Sequence, residues 1–148
     1  MYQIRQLTPA DGPLLHELNT LFGHAFDEPE TYCTQRPSEE YLRGLLALDH
    51  VIVLVALADR EIVGGMVAYE LPKFEQARRE LYIYDLAVAA AHRRRGIATS
   101  LIQHLQEIAS HRDAWVIFVQ ADHGDGPAIA LYSKLGRRED VLHFDIDV

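Results

Sequence analysis

The chain has 148 residues, 49% of them hydrophobic and 24% charged, which suits a single domain over residues 1–148 with its own buried core. Its formal net charge of −8 argues against a nucleic-acid partner, since such binding rests on neutralising phosphates, and favours a cationic partner. Cys33 is the single cysteine, and the sequence has neither a signal-like start nor an apolar run of membrane-spanning length, so we expect a cytoplasmic protein.

The first elements in chain order are a short strand and an amphipathic helix. Weak alternation from Gln3 to Leu7 predicts the strand. Thr8 as a cap, followed by Pro9, predicts that a helix starts there, and Gly23 is predicted to end it. The buried stripe of this helix is expected to consist of four residues at helical spacing: Leu14, Leu18, Leu21 and Phe22.

A loop and a second short helix are predicted next. Residues 24–37 are rich in polar and aromatic side chains, as loops are, and Ser38 then opens a helix with two carboxylates at its positive end. The apolar face of that helix is expected to be Tyr41, Leu42, Leu45 and Leu46.

A hairpin follows the second helix. Val51 to Leu57 and Ile62 to Tyr69 are strand-like runs, and residues 59–61 between them predict a tight turn. Pro72 interrupts the second run, and residues 71–79 are predicted to form a charged connection.

The second half of the chain alternates strands and helices. Leu81 to Val88 and Trp115 to Ala121 are nearly continuous apolar runs, which predicts two interior strands. Helices are predicted from Ala98 to His111 and from Gly126 to about Gly136, and Val141 to Ile146 is predicted to be a final strand. Antiparallel strands first and strand–helix–strand crossovers later indicate a mixed α/β sheet.

The segment Arg93-Arg94-Arg95-Gly96-Ile97-Ala98-Thr99 lies between a buried strand and a helix start. A helix start already carries partial positive charge and unpaired N–H groups, so three arginines there predict an anion, with small residues that let the backbone approach it. The alternative is a solvated basic turn whose arginines pair with surface carboxylates. Neither a G-x-x-x-x-G-K-[ST] run nor a G-x-G-x-x-G run occurs.

Arg93-x-x-Gly96-x-Ala98 resembles the acetyl-CoA loop of GNAT acetyltransferases, and Ala128-x-x-Leu131-Tyr132 resembles their second cofactor helix. The resemblance implies a GNAT fold with six to seven strands and four helices. It also implies that acetyl-CoA is bound through the backbone of residues 94–99. The positions that it assigns to the cofactor are Leu86, Ala87, Val88, Arg93, Arg94, Arg95, Gly96, Ile97, Ala98, Thr99 and Tyr132.

A narrower resemblance connects four segments with the type I aminoglycoside 3-N-acetyltransferases, or gentamicin acetyltransferases. The segments are 68–76, 82–88, 119–122 and 143–146. The resemblance implies acetylation of the 3-amino group of the central aminocyclitol ring, which confers antibiotic resistance. His123 and Gly126 depart from the tyrosine and aspartate usual in that family, which leaves the range of drugs open.

Acetyl transfer to an amine needs an acid for the departing thiolate and a base for the ammonium. Tyr132 is the candidate acid; the alternative is an aromatic that only fills a helix–sheet interface. Asp85 is a charge in an apolar strand, so it either pairs with a structural arginine or binds and deprotonates the substrate. Glu80 and His24 are the other candidate bases.

The predicted acceptor site is acidic. Each acid in it has the alternative of a solvated surface position, but together they suit a ligand with several ammonium groups. The substrate-binding candidates are Asp27, Glu28, Tyr82, Asp85, Asp122 and Asp145. We expect Cys33 to be incidental, His104 and His111 to be exposed, and no metal to be bound.

Three interpretations of the function stay open on the sequence alone. The chain acetylates an aminoglycoside, or it acetylates a polyamine, another small amine or a peptide N-terminus, or it binds the cofactor without catalysis. GNAT relatives are often dimers, which makes a homodimer possible, although no segment of the sequence indicates an interface.

Overall fold

The computed structural model describes residues 1–148, with five strands and four α-helices. The strands are β1 (Gln3–Gln6), β2 (Val51–Ala58), β3 (Glu61–Pro72), β4 (Arg79–Val88) and β5 (Ala114–Val119), and the helices are α1 (Gly12–Ala25), α2 (Glu39–Leu46), α3 (Ile97–His111) and α4 (Gly126–Leu135). The strands form one sheet in the order β1-β2-β3-β4-β5. None of the helices is long and apolar enough to cross a membrane.

The sheet combines an antiparallel part with a helical crossover. The pairs β1–β2, β2–β3 and β3–β4 are antiparallel. Helix α3 connects β4 to the adjacent β5, which is the kind of connection that parallel strands need. The predicted tight turn between β2 and β3 is confirmed, because Asp59 and Arg60 both have positive φ, 49° and 73°. The chain divides into two compact units, Met1–Phe118 and Val119–Val148.

The first unit has buried apolar residues on both faces of its sheet. One cluster joins residues of α1 and α2, such as Leu18, Phe22 and Leu42, to β2, Val67 of β3 and Ala87 of β4. A second set of buried residues lies outside that cluster and comes from α3 and the alternate positions of the strands: Ile52, Leu54, Met66, Leu81, Ile83, Ile97, Leu101 and Leu105.

A β-bulge in β4 changes which face its side chains occupy. Val67 of β3 pairs with Asp85, but the next residue, Ala68, pairs with Ile83, so Tyr84 is the extra residue on β4. Ile83 is buried outside the α1–α2 cluster, whereas Ala87 belongs to it. Without the bulge, residues 83, 85 and 87 would share one face. The bulge therefore turns Asp85 toward the face that α1 covers.

The prediction that Gly23 ends α1 is wrong, because the helix continues to Ala25. A Cβ on Gly23 would lie 2.7 Å from Sγ of Cys33, so the glycine is needed where the following segment packs closely. That segment is not a plain loop either, since Glu30–Thr34 form one π-helical turn.

The prediction of six to seven strands is wrong, because the sheet has five. Val141 to Ile146 is not a strand: residues 137–148 have no regular secondary structure and are exposed. β5 ends at Val119 and lies at an edge of the sheet rather than in its interior. Apolar patterning predicts that the side chains of a segment will be buried. A strand also needs a neighbouring strand to pair with its backbone N–H and C=O groups, and the pattern does not identify that neighbour.

Candidate functional site

The basic segment between β4 and α3 has a left-handed backbone at two positions. Arg94 and Gly96 have φ of 62° and 79°, so successive N–H groups can converge on an anion, as they do in backbone nests. Arg93 Nε donates a hydrogen bond to the carbonyl oxygen of Val88 at 3.2 Å, which ties the start of the segment to the end of β4. The hydroxyl of Tyr2 donates to the carbonyl oxygen of Arg95.

The three arginines of the basic segment have no carboxylate partner. None of the three arginines forms an ion pair, and all three are exposed. Three exposed guanidinium groups without a carboxylate partner therefore lie beside the positive end of a helix, an arrangement that favours the binding of an anion.

The first turn of α3 also has free donors. Its first backbone bond runs from Ser100 N to Gly96 O at 2.9 Å, and no side chain caps it. Helices α2 and α4, in contrast, are capped by Ser38 and Asp125, whose side chains accept from backbone N–H groups. The N–H groups of residues 97–99 and the three arginines are therefore groups of the kind that bind a phosphate or diphosphate.

Asp85 lies in a hydrogen-bonded and partly apolar setting on the α1 side of the sheet. The hydroxyl of Tyr32 donates to its Oδ1 at 2.6 Å. Tyr32 is fixed by aromatic contacts, with its ring centroid 5.8 Å from that of Phe22 and 5.6 Å from that of Phe26. Since no arginine or lysine pairs with Asp85, the alternative of a structural ion pair is wrong.

Burial raises the pKa of Asp85 above that of an ordinary aspartate. The hydrogen bond from Tyr32 acts in the opposite direction, and the negative charge of Glu28 raises the pKa further. Burial and the carboxylate of Asp85 raise the pKa of Tyr32 as well, so its hydroxyl remains a donor at neutral pH. A carboxylate that is partly desolvated and has no cationic partner attracts a ligand ammonium and accepts a proton readily.

Aromatic rings extend from Asp85 across the sheet. The ring centroids of Tyr69 and Tyr82 lie 5.8 and 5.5 Å from that of Tyr84, and the ring of Tyr82 stacks on Phe118 of β5 at 4.5 Å. Burial raises the pKa of Tyr69 and of Tyr82. Neutral aromatic faces next to an anionic group attract the amine-bearing rings of a cationic ligand.

Of the other charged or basic candidates in the same unit, Glu28 lies near this carboxylate, whereas Glu80, His24 and Asp27 do not contact it. Glu28 is exposed, and its charge acts on both Asp85 and Tyr32. Glu80 forms an ion pair with Lys73, with 3.8 Å between Nζ and Oε2, so its nearest charged partner is a lysine of the chain itself. His24 and Asp27 are exposed at the end of α1, where Asp27 has a positive φ of 53°.

The second unit contains the remaining candidates. Tyr132 lies on α4, and burial, followed by the charge of Asp125, raises its pKa to about 12. Asp122 is exposed, and its carbonyl oxygen accepts from Asp125 N at 3.0 Å. Asp145 is also exposed, and its Oδ1 lies 2.9 Å from Nε2 of His143.

Sequence reasoning missed Tyr32. It lies in the segment 24–37, which the sequence predicts to be a loop. Its hydroxyl donates to the carboxylate of Asp85, which is 53 positions away in the sequence. The available signal was the Phe22–Phe26–Tyr32 spacing, which keeps aromatic residues close to the predicted end of α1. Cys33, in the same turn, is half-buried, and its Sγ lies 3.9 Å from the carbonyl oxygen of Asn19, which is a packing position.

Comparison with known proteins gives consistent matches. Residues 15–136 match the acetyltransferase (GNAT) family. The aminoglycoside acetyltransferase HMB0005, from an uncultured soil metagenomic sample, is 58% identical over 100% of this chain and 99% of its own, with a TM-score of 0.98. The aminoglycoside acetyltransferase meta-AAC0020, also from an uncultured soil metagenomic sample, was solved in complex with sisomicin. It is 32% identical over 99% of this chain and 96% of its own, with a TM-score of 0.91.

A curated relative is matched over a shorter stretch. Streptothricin acetyltransferase of Streptomyces lavendulae is 27% identical over 73 residues, which are 49% of this chain and 39% of that protein. The chain thus covers less than half the length of that relative.

Proposed function

Because the chain belongs to the acetyltransferase (GNAT) family, we propose that it transfers an acetyl group from acetyl-CoA to an amine of an aminoglycoside antibiotic. By its resemblance to the gentamicin acetyltransferases, the acceptor is the 3-amino group of the central aminocyclitol ring. The consequence in a cell would be resistance to the drugs that are accepted.

The observation that carries the proposal is the carboxylate of Asp85. It is partly buried, it has no cationic partner, and its only hydrogen-bond donor is Tyr32 at 2.6 Å. A protein maintains such a group at a cost in stability, which a bound cation offsets. Glu28 and the tyrosines around Tyr84 add negative charge and aromatic surface, which suits a polycation built of rings.

Acetyl-CoA, when bound, supplies an acetyl group activated as a thioester. The backbone N–H groups of residues 97–99 and the guanidinium groups of Arg93, Arg94 and Arg95 would hold its diphosphate. The end of β4 at Leu86, Ala87 and Val88 is adjacent in sequence to this segment and is the expected partner of the pantetheine arm.

Asp85 has two tasks in this proposal. It holds the acceptor ammonium, which raises the ammonium's own pKa, and it then takes the proton so that the amine becomes nucleophilic. The raised pKa of Asp85 favours the second task, because a carboxylate that binds its proton more tightly is a stronger base. Glu28 keeps the surroundings anionic while the proton moves.

Tyr132 is the proposed general acid. Its pKa of about 12 keeps the phenol protonated over the whole working pH range, so a proton is always available for the departing thiolate.

A turnover assay with thiol detection tests the proposal. Acetyl-CoA is supplied with gentamicin, sisomicin, kanamycin or spermidine, and the expected result is release of coenzyme A with at least one aminoglycoside and a weaker response to spermidine. Turnover on spermidine but on no aminoglycoside would assign the chain to polyamine acetylation instead. Tight binding of acetyl-CoA in calorimetry with no turnover on any amine would indicate a binding module without catalysis.

A further inference from the structure

The segment that follows α1, residues 26–36, is held against that helix at both of its ends. At its start, the N–H groups of residues 26 and 28 donate to carbonyl oxygens of α1, both at 2.9 Å. At its end, Arg36 donates to the carbonyl oxygen of His16 at 2.9 Å and to Oγ1 of Thr20 at 2.6 Å. A Cβ on Gly23 of α1 would lie 3.4 Å from Cβ of Tyr32, so the middle of the segment also packs closely. Helix α1 therefore fixes the backbone that carries Tyr32.

The side chain of Tyr32 is fixed as well. It is the middle residue of the π-helical turn Glu30–Thr34, and single turns of this kind are rare and frequently lie at functional sites. Its ring packs against the rings of Phe22 and Phe26, and its hydroxyl donates to Asp85 Oδ1 at 2.6 Å. A fixed ring gives the hydroxyl one position, so the hydrogen bond also sets the orientation of the carboxylate.

The stability of the fold does not explain why Tyr32 donates to a carboxylate. A half-buried phenol needs an acceptor, but a backbone carbonyl or a side-chain amide provides one without a charge. An ionised carboxylate that is partly buried costs free energy unless a cation pairs with it. Asp85 has no arginine or lysine partner. The pair therefore indicates a task for the oriented carboxylate, which is to receive a cationic ligand.

We propose that Tyr32 is a positioning residue for acetyl transfer, which holds Oδ1 of Asp85 and leaves Oδ2 for the acceptor ammonium. The inference rests on the proposed function, in which Asp85 takes the ammonium proton. In that step the proton moves from nitrogen to Oδ2, and the electron pair of the broken N–H bond becomes the lone pair that attacks the acetyl carbon. Tyr32 keeps its own proton, because burial and the charge of Asp85 raise the pKa of its hydroxyl.

The same hydrogen bond acts on the basicity of Asp85. It lowers the pKa of the carboxyl, whereas burial and the negative charge of Glu28 raise it. Removal of the Tyr32 hydroxyl and removal of the Glu28 charge should therefore shift the titration of Asp85 in opposite directions. None of the other titratable groups that interact with the pair is cationic; they are Tyr69 of β3 and Tyr82 and Tyr84 of β4.

The first test is the pH profile of acetyl transfer. In Tyr32→Phe the acidic limb of kcat/KM is expected to move to higher pH by about one to two units, because a hydrogen bond to the charged carboxylate is lost. On the plateau, kcat should fall roughly 10- to 100-fold through loss of orientation, with little change in KM, since the charge of Asp85 remains. Glu28→Gln should move the limb to lower pH. The matched control is Tyr41→Phe, the same change at an exposed position of α2, which should leave the profile unchanged.

Two further measurements isolate the pair. Carboxyl ¹³C titration of aspartate-labelled protein needs no turnover, and the signal missing from Asp85→Asn identifies Asp85; its midpoint should rise in Tyr32→Phe and fall in Glu28→Gln. In an Asp85→Asn background, Tyr32→Phe should have little further effect on kcat, because the hydroxyl then orients no base.

The outcomes separate this inference from the proposed function. A wild-type pH profile and kcat in Tyr32→Phe, an unchanged titration of Asp85, or equal losses in the wild-type and Asp85→Asn backgrounds would each overturn the inference and leave the proposed function in place. A wild-type chain that acetylates no amine would overturn both. Thermal unfolding of Tyr32→Phe at each assay pH ensures that a lower kcat does not reflect an unfolded chain.

Discussion

Replacement of Asp85 by asparagine separates the contribution of this carboxylate to catalysis from its effect on the stability of the fold. In the wild-type chain the hydrogen bond from the Tyr32 hydroxyl to Asp85 Oδ1 is 2.6 Å long, and the asparagine Oδ1 can still accept it. Aspartate and asparagine side chains also have nearly the same volume. The variant therefore removes the charge and the proton-accepting group while the surrounding packing is preserved.

The expected loss of activity is large. A hydrogen bond to a charged group contributes about 1.5–3 kcal/mol, so removing the ion pair with the ammonium lowers kcat/KM for gentamicin by roughly 10- to 150-fold. If Asp85 is also the base, kcat falls by a further factor of about 10² to 10⁴. A rise in KM with little change in kcat would assign it to binding only.

The effect on stability has the opposite sign. Burial raises the pKa of Asp85 in the folded chain, so the folded state binds this proton more tightly than the unfolded state does. The stability that comes from the protonated form is present below the unfolded pKa of about 3.9 and is lost as the pH rises through the folded pKa. Asp85→Asn is therefore expected to raise the melting temperature at pH 7.5, and the gain should vanish near pH 3.5.

The measurements are steady-state kinetics with thiol detection and thermal unfolding at both pH values. Glu17→Gln, which makes the same chemical change at an exposed position of α1, is the control and should alter neither activity nor stability. KM for acetyl-CoA should be unchanged in both variants. A wild-type kcat/KM in Asp85→Asn, or a lower melting temperature at pH 7.5, would refute the reasoning about this site.

Three further substitutions test the packing, the basic segment and the acid. Gly65→Ala places a Cβ 2.4 Å from Cδ1 of Leu18 and should destabilise the fold by about 1–3 kcal/mol in urea unfolding, whereas Gly44→Ala, at an open helix position, should stabilise it by about 0.5–1 kcal/mol. Gly96→Ala has open space but a φ of 79°, so it should cost about 1–2 kcal/mol and raise KM for acetyl-CoA; an unchanged KM would show that this backbone does not hold the diphosphate. Tyr132→Phe should lower kcat at least tenfold with both KM values nearly unchanged, and full activity would exclude it as the acid.

The likeness to aminoglycoside acetyltransferases bears on the class of substrate and not on individual drugs. HMB0005 shares 58% of its residues with this chain, and meta-AAC0020, solved with sisomicin, shares 32%. Position 123, where a histidine replaces the expected tyrosine, lies in the turn between β5 and α4, and position 126, where a glycine replaces the expected aspartate, is the first residue of α4. Substrate profiles of His123→Tyr and Gly126→Asp would show whether this turn selects among drugs.

Local patterns in the sequence determined most of the elements. The hairpin turn at Asp59 and Arg60, the Ser38 cap of α2 and the helical stripe of α3 depend on residues close together in the chain, so their signals can be read directly. The basic segment at Arg93 was identifiable for the same reason, because its charge and its small residues are adjacent in the sequence.

Tertiary structure alone decided which face of the sheet Asp85 occupies and where the sheet ends. The bulge at Tyr84 depends on the register between β3 and β4, and the bond from Tyr32 spans 53 positions; neither leaves a periodic trace in the sequence. The sequence predicted interior strands at β5 and at residues 141–146, but a hydrophobic pattern does not specify which segment packs against it. Burial and backbone pairing depend on segments that are far apart in the sequence, so a strand-like pattern such as that of residues 141–146 does not by itself produce a strand.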